Sequence, residues 1–240
     1  MRLAAFTTLL LSLALAACGK APTAPEVTNL SPRASATGEV VTPKLAADAP
    51  VILAFGDSLY AGYQLDPDAS YPAKLEAALA KKGMPARVVN AGVSGDTTAD
   101  GLQRLAFTLD NQPVKPTLVM VGLGGNDMLR ALPPAQTRAN LDAILSELKK
   151  RNLPVLITGM LAAPNLGADY VRDFNPIFPA LARKYDAALV PFLLQPVVGH
   201  PELQLPDHIH PNATGVDKVV ESSVDKVAAA LTTARGKAAN

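Results

Sequence analysis

Ser58 stands in Phe55-Gly56-Asp57-Ser58-Leu59, directly after the apolar run Val51-Ile52-Leu53-Ala54-Phe55. A hydroxyl at the carboxyl end of a short buried strand is a candidate nucleophile, and that reading makes demands on the rest of the chain. A serine attacks nothing unaided at neutral pH. It needs a base to take its proton, a group to orient that base, and donors for the oxyanion that forms. The chain holds three histidines, His200, His208 and His210, and two of them lie in Asp207-His208-Ile209-His210-Pro211. That spacing admits two readings. His210 with Asp207 can form a base and its carboxylate, since residues three apart reach one side of a turn. Alternatively, His208 and His210 with Asp57 sketch a zinc or manganese site, although no further His or Cys supplies a third soft ligand.

The elements that must position these residues alternate along the chain. Apolar runs at 51–55, 86–91, 117–123, 154–160 and 187–192 are short and β-branched enough to predict five buried strands. Helical patterns lie between them. Ser70-Tyr71-Pro72 offers a cap and an early proline, Leu75, Ala78 and Leu79 a stripe, and Gly83 an end. Thr97 or Thr98 caps a second helix bearing Leu102, Leu105, Ala106 and Leu109; a third carries Leu141, Ile144, Leu145 and Leu148 and ends in Lys149-Lys150-Arg151. The last, from about 212 to 231, turns Val216, Val219, Val220, Val224, Val227 and Leu231 inward. Strands alternating with helices imply an α/β fold with a parallel sheet covered on both faces.

In such a sheet, ligands bind beyond the carboxyl ends of the strands. Four polar or glycine-rich segments fall there: the one around Ser58, Gly92-Val93-Ser94-Gly95-Asp96, Gly122-Leu123-Gly124-Gly125-Asn126-Asp127, and the one holding Asp207 and His210. Packing alone does not explain four such loops on one edge. Met128, Leu129 and Leu132, residues 161–166 led by Leu161, and Leu193, Leu194, Val197 and Val198 are candidates to line an apolar acyl groove. Asp57 and Asp127 are expected to hydrogen-bond and brace their own loops.

Composition narrows the field. With 240 residues, 49% hydrophobic and 18% charged, the chain predicts one globular domain with a sizeable core. A net charge of +1, with no basic run interleaved with aromatics, argues against a nucleic-acid partner. Neither a Gly-x-Ser-x-Gly elbow nor a Gly-x-x-x-x-Gly-Lys loop is present, which disfavours an α/β-hydrolase and a nucleotide enzyme. Met1-Arg2, the apolar stretch 3–15 and Leu15-Ala16-Ala17-Cys18 resemble a bacterial lipoprotein signal with its lipobox. The expected organisation is a signal peptide at 1–17, a lipidated Cys18 opening an Ala/Pro/Thr-rich disordered linker to 49, a domain at 50–232, and a tail at 233–240. The sole cysteine goes to lipid, so packing alone holds the fold.

In this order and spacing, the four segments resemble the four sequence blocks of the GDSL or SGNH hydrolases, across residues 50–230. They are similar above all to its small extracytoplasmic thioesterase, arylesterase and lysophospholipase branch. The resemblance implies a three-layer α/β/α, flavodoxin-like fold with a five-stranded parallel sheet. It implies Ser58 as nucleophile, Asp207 and His210 as orienter and base, and Ser58, Gly95 and Asn126 as the oxyanion hole. It also implies an acyl-enzyme formed without metal or cofactor, acting on small carboxylic esters and thioesters, including aryl esters and lysophospholipids. Expected of the whole protein are a monomer and a lipid-anchored place in the cell envelope. Two rivals remain: an O-acetylesterase of envelope polysaccharide or peptidoglycan, and a non-catalytic envelope lipoprotein. His208 stands where such enzymes often carry glycine.

Overall fold

A computed structural model describes residues 49–239; the expected signal, Cys18 and nearly all of the linker lie outside the described residues. Five strands form one parallel sheet: β1 (Val51–Gly56), β2 (Arg87–Gly92), β3 (Leu118–Gly122), β4 (Val155–Thr158) and β5 (Ala188–Val190), in the order β2-β1-β3-β4-β5. Each coincides with an apolar run of the sequence. Every residue of β1 is buried, because neighbours flank it on both sides and helices cover both faces.

Side chains alternate across a strand, and two cores follow from that alternation. Ile52, Ala54, Met120 and Leu156 point to one face, where α2 (Tyr71–Lys81) and α8 (Ala213–Ala239) pack through Leu75, Leu79, Val216, Val220 and Val227. Leu53, Phe55, Val119, Val121 and Ile157 point to the other. There α3 (Thr98–Asp110), α5 (Pro134–Lys150) and α7 (Ile177–Tyr185) supply Leu105, Leu141, Ile144, Leu148 and Phe178. Each fully buried aliphatic or aromatic side chain contributes about 1.5–3 kcal/mol. Among the described residues there are also three short α-helices, α1 (Ser58–Ala61), α4 (Gly125–Leu129) and α6 (Ala168–Phe174).

Several local readings shift. Thr97 caps α3 through a capping box with Asp100. Ser70 does occupy the N-cap of α2, yet its hydroxyl donates to the Pro67 carbonyl at 2.8 Å instead of receiving a helix N–H. Ala106 is exposed, because at roughly 100° per residue it falls a quarter turn away from the line of Leu105 and Leu109. The last helix continues beyond Leu231 to Ala239, and Ala234 is buried, so the segment expected as a tail after 232 is helical.

Candidate active site

The loops at the carboxyl ends of the strands meet over Ser58. Three glycines in register, Gly56, Gly92 and Gly122, close β1, β2 and β3 beneath α1. A Cβ on Gly92 would stand 2.4 Å from the Ala61 nitrogen, and one on Gly56 2.6 Å from the Tyr60 ring. Only glycine lets this turn of helix settle so close to the sheet. Tyr60 is wholly buried there, its hydroxyl 2.8 Å from Thr158 Oγ1 and its ring stacked on Tyr71. Asp57 caps α1, accepting the Leu59 N–H at 3.1 Å, and Ser58 opens the helix.

Ser58 Oγ lies 2.8 Å from His210 Nε2, and His210 Nδ1 lies 2.6 Å from Asp207 Oδ2. The second carboxylate oxygen of Asp207 accepts the backbone N–H groups of Ile209 at 2.9 Å and His210 at 3.0 Å. Burial pushes the Asp207 carboxyl up, but these donors and the His210 ring outweigh it and hold the group at about 2. Asp207 therefore stays charged across the neutral range and fixes the imidazole with its proton on Nδ1, leaving Nε2 to accept from Ser58. The loop is pinned by Gln204 bridging to Pro211 and by Asn212, whose side chain bonds Glu202 and Gly215 before α8 begins. Tyr63 covers the imidazole, with ring centroids 4.5 Å apart.

The backbone N–H groups of Ser58 and Gly95 have no acceptor among the described residues, and Gly95 holds a positive φ of 88°. The Asn126 amide donates one hydrogen to the Asp96 carbonyl at 2.9 Å and keeps one unengaged. The Gly95 carbonyl is held by Arg130 at 2.8 Å. Beneath the loops, Arg104 bridges Asp96 at 2.6 Å and the Gly56 carbonyl at 2.9 Å while lying over Phe55. Asp127 takes the Thr98 N–H at 2.8 Å, the Thr98 hydroxyl at 2.5 Å and the Thr137 hydroxyl at 3.1 Å, which ties α4 to α3 and α5. Asp57 is 2% exposed. Burial raises its carboxyl to about 7, against the lowering bond from Leu59, and the charges of Asp96 and Asp127 add to the rise.

A pocket of about 50 Å³ opens beside Ser58 and His210, walled by Leu59, Met128, Leu129, Met160, Leu194 and Ile209, with Asp57, Gly125 and Asn126 behind. Met128 and Leu129 line it, whereas Leu132, Leu161 and Gly95 do not. The chain turns at Ala131, with φ 49°, and carries Leu132 off to place its carbonyl under the Tyr170 hydroxyl. Past β4, burial alternates, so Met160 points inward and Leu161 outward. Of the expected apolar residues before the last block, Leu194 reaches the pocket, while Leu193 and Val197 are spent in the core and Val198 is exposed. A much larger groove, about 740 Å³, lies at the opposite end of the sheet and contains none of these polar groups. Chemistry, not volume, selects the site.

His208 is exposed at φ 57°, the left-handed backbone that glycine takes without strain, and His200 is exposed against Glu202. Among the described residues no three His, Cys, Asp or Glu side chains converge as metal ligands would. Sequence reasoning missed Tyr63, Met160 and Ile209. Met160 sits one residue before the stretch singled out after the fourth strand, so the signal was present but out of phase.

A family model described as the GDSL-like Lipase/Acylhydrolase family matches residues 54–218. Esterase TesA of Pseudomonas aeruginosa is 39% identical over 176 residues, which is 73% of this chain and 87% of that protein. Thioesterase 1/protease 1/lysophospholipase L1 of Escherichia coli (strain K12) is 40% identical over 167 residues, 70% of this chain and 78% of that one. Among solved structures, the SGNH-hydrolase family esterase AlinE4 superposes with a TM-score of 0.67 at 58% identity, covering 78% of this chain and 99% of its own.

Proposed function

The chain belongs to the GDSL-like lipase/acylhydrolase family and is an ester hydrolase, and from that premise we propose that it works as a serine esterase through an acyl-enzyme on Ser58. His210 Nε2 takes the Ser58 proton as Oγ attacks the substrate carbonyl carbon, and the electron pair of the carbonyl moves onto its oxygen. The Ser58 and Gly95 N–H groups and the free Asn126 hydrogen stabilise that charge, each such donor accounting for about 3 kcal/mol of barrier lowering. As the intermediate collapses, the bond to the alcohol or thiol oxygen or sulfur breaks, and His210 returns the proton to the leaving group. Water then repeats the sequence on the acyl-enzyme and restores Ser58.

The unbroken line Ser58 Oγ to His210 to Asp207, at 2.8 and 2.6 Å, carries this reading. Changing Ser58→Ala should remove p-nitrophenyl ester hydrolysis and stoichiometric labelling by an organophosphonate; activity that survives would overturn it. The substrates are carboxylic esters and thioesters with an apolar acyl group, as the pocket walls favour. The small pocket also gives the O-acetylesterase reading its one support, since about 50 Å³ suits a short acyl group and leaves a longer one lying across exposed Leu129 and Ile209. Rates across a series from acetyl to palmitoyl esters decide between them, a maximum at acetyl favouring the rival.

The protein is also proposed to be a monomer tethered in the cell envelope through lipidated Cys18, with residues 18–49 as linker. The cue is Leu15-Ala16-Ala17-Cys18. Mass spectrometry of the mature amino terminus tests it, an unmodified Cys18 being the contrary result. No helix among the described residues is long and apolar enough to cross a membrane.

A further inference from the structure

Charge divides along the strand direction. The segments at the amino ends of the strands, 80–87, 110–117, 147–154, 183–187 and 225–239, hold twelve Lys and Arg against four Asp and Glu. The loops at the other end, 57–70, 93–100, 123–133, 159–175 and 191–212, hold two against ten. Each of the four acids at the basic end is already in an ion pair: Asp110 and Glu147 with Arg151, Asp186 with Lys237, and Asp225 with Lys82. Lys81, Arg87, Lys115, Lys149, Lys226 and Arg235 are exposed there and have no carboxylate partner among the described residues.

Cations complement the negative ends of α2, α5, α7 and α8, and this accounts for part of the pattern. It does not account for Lys115 or Arg87, which lie outside the helices. The groove of about 740 Å³ opens on this end between α5, α8 and the starts of β3 to β5, with Lys149, Lys226 and Lys237 on its walls. The chain also enters the domain here, where the Pro50 carbonyl accepts the Arg87 N–H at 2.9 Å.

We infer that the basic end is a docking face for an anionic phospholipid bilayer, which holds the domain with Ser58 turned away from that surface. Two features of the charge pattern act together. Exposed cations within a Debye length of anionic headgroups are attracted to them, and the acidic loops around the site are repelled. A molecule with almost no net charge is thereby oriented without being strongly bound. The inference goes beyond hydrolysis and does not require Cys18 to be lipidated. It places the substrate on the aqueous side, or on a second surface facing the first.

The test uses the full chain carrying Cys18→Ser, sedimented with vesicles of phosphatidylcholine alone or mixed with phosphatidylglycerol. Binding is expected to rise with phosphatidylglycerol and to fall with added salt. A triple variant, Lys149→Glu, Lys226→Glu and Arg235→Glu, should lose the anionic-lipid component by about fivefold or more per cation removed. A control with the same net charge, Arg138→Glu, Arg172→Glu and Lys218→Glu, should bind like the parent. Both variants should hydrolyse a soluble ester at the parent rate, which reports an intact fold. Binding indifferent to phosphatidylglycerol, or lowered equally in both variants, overturns the inference; so does preferential salt-sensitive association with duplex DNA.

Discussion

The two ends of the sheet are built from the same five strands and differ in almost everything else. At the amino ends, helices finish, the chain turns tightly, and Lys and Arg outnumber the exposed carboxylates, which are paired with some of them. At the carboxyl ends, three acidic side chains are buried, Asp57 at 2%, Asp96 at 8% and Asp127 at 1% exposed, each held by hydrogen bonds or an ion pair. Among the described residues, eight large apolar side chains face solvent, and all but Phe107 and Val114 come from this second set of loops. One end settles stability and electrostatic orientation, whereas the other accepts buried charge to hold a serine, a histidine and their donors in place. Changes at the two ends should therefore separate rate from stability.

The largest expected separation is at Asp207. Replacing it with Asn should cost only about 1 kcal/mol of stability at neutral pH, because the side chain is about one-third exposed and solvent screens its charge, yet cut kcat by roughly 10⁴-fold through loss of the imidazole's fixed tautomer. Chemical denaturation measured beside steady-state kinetics reads both quantities. At the far end Leu148→Ala should do the reverse, costing about 2–5 kcal/mol of stability as a fully buried side chain is cut back, with kcat kept at temperatures where the protein remains folded.

A smaller effect follows from Asp57. Its folded-state carboxyl is raised to about 7 from 3.8, so the folded form holds a proton that the unfolded chain releases, and stability falls as pH rises between those values. Asp57→Asn keeps an oxygen for the Leu59 N–H and should flatten stability over that window, measured as denaturation midpoint against pH. Asp207 has the opposite sign: its stabilisation is present above about 4 and is lost as pH falls toward 2. Smallest is Tyr63, whose ring packs on the His210 imidazole. Tyr63→Ala should lower kcat by about threefold, and Tyr63→Phe should restore it, read by steady-state kinetics.

Much of the fold could be read from the residues because burial on both faces of a parallel sheet leaves near-continuous apolar runs, and five of these became five strands. Helix faces followed from spacing wherever the stripe was wide, as in Leu141, Ile144, Leu145 and Leu148, all buried. Ala106 failed because alanine fits either face of a helix. In the candidate site, Ser58, Asp207 and His210 could be grouped from the sequence since their chemistry requires one another, and their side chains lie within hydrogen-bond reach. The pocket wall was only half legible. A leucine carries no chemical requirement, so Leu132 and Leu161 could not be told from Met160 and Ile209 without the turn at Ala131 and the phase of the chain after β4. Tyr63 was hidden for a different reason: its contact with His210 spans the whole domain in sequence and rests on one glycine, Gly62, in the left-handed conformation that ends α1.

Gly56, Gly92 and Gly122 have a consequence for anyone wishing to re-engineer the enzyme. A side chain added at any of the three would meet backbone or the Tyr60 ring within 3 Å and lift the helix that begins with Ser58. The site therefore cannot be reshaped from beneath this helix without displacing the hydroxyl. Selectivity is to be sought in the walls, where Leu129, Leu194 and Ile209 can be trimmed or enlarged while the serine keeps its height above the sheet.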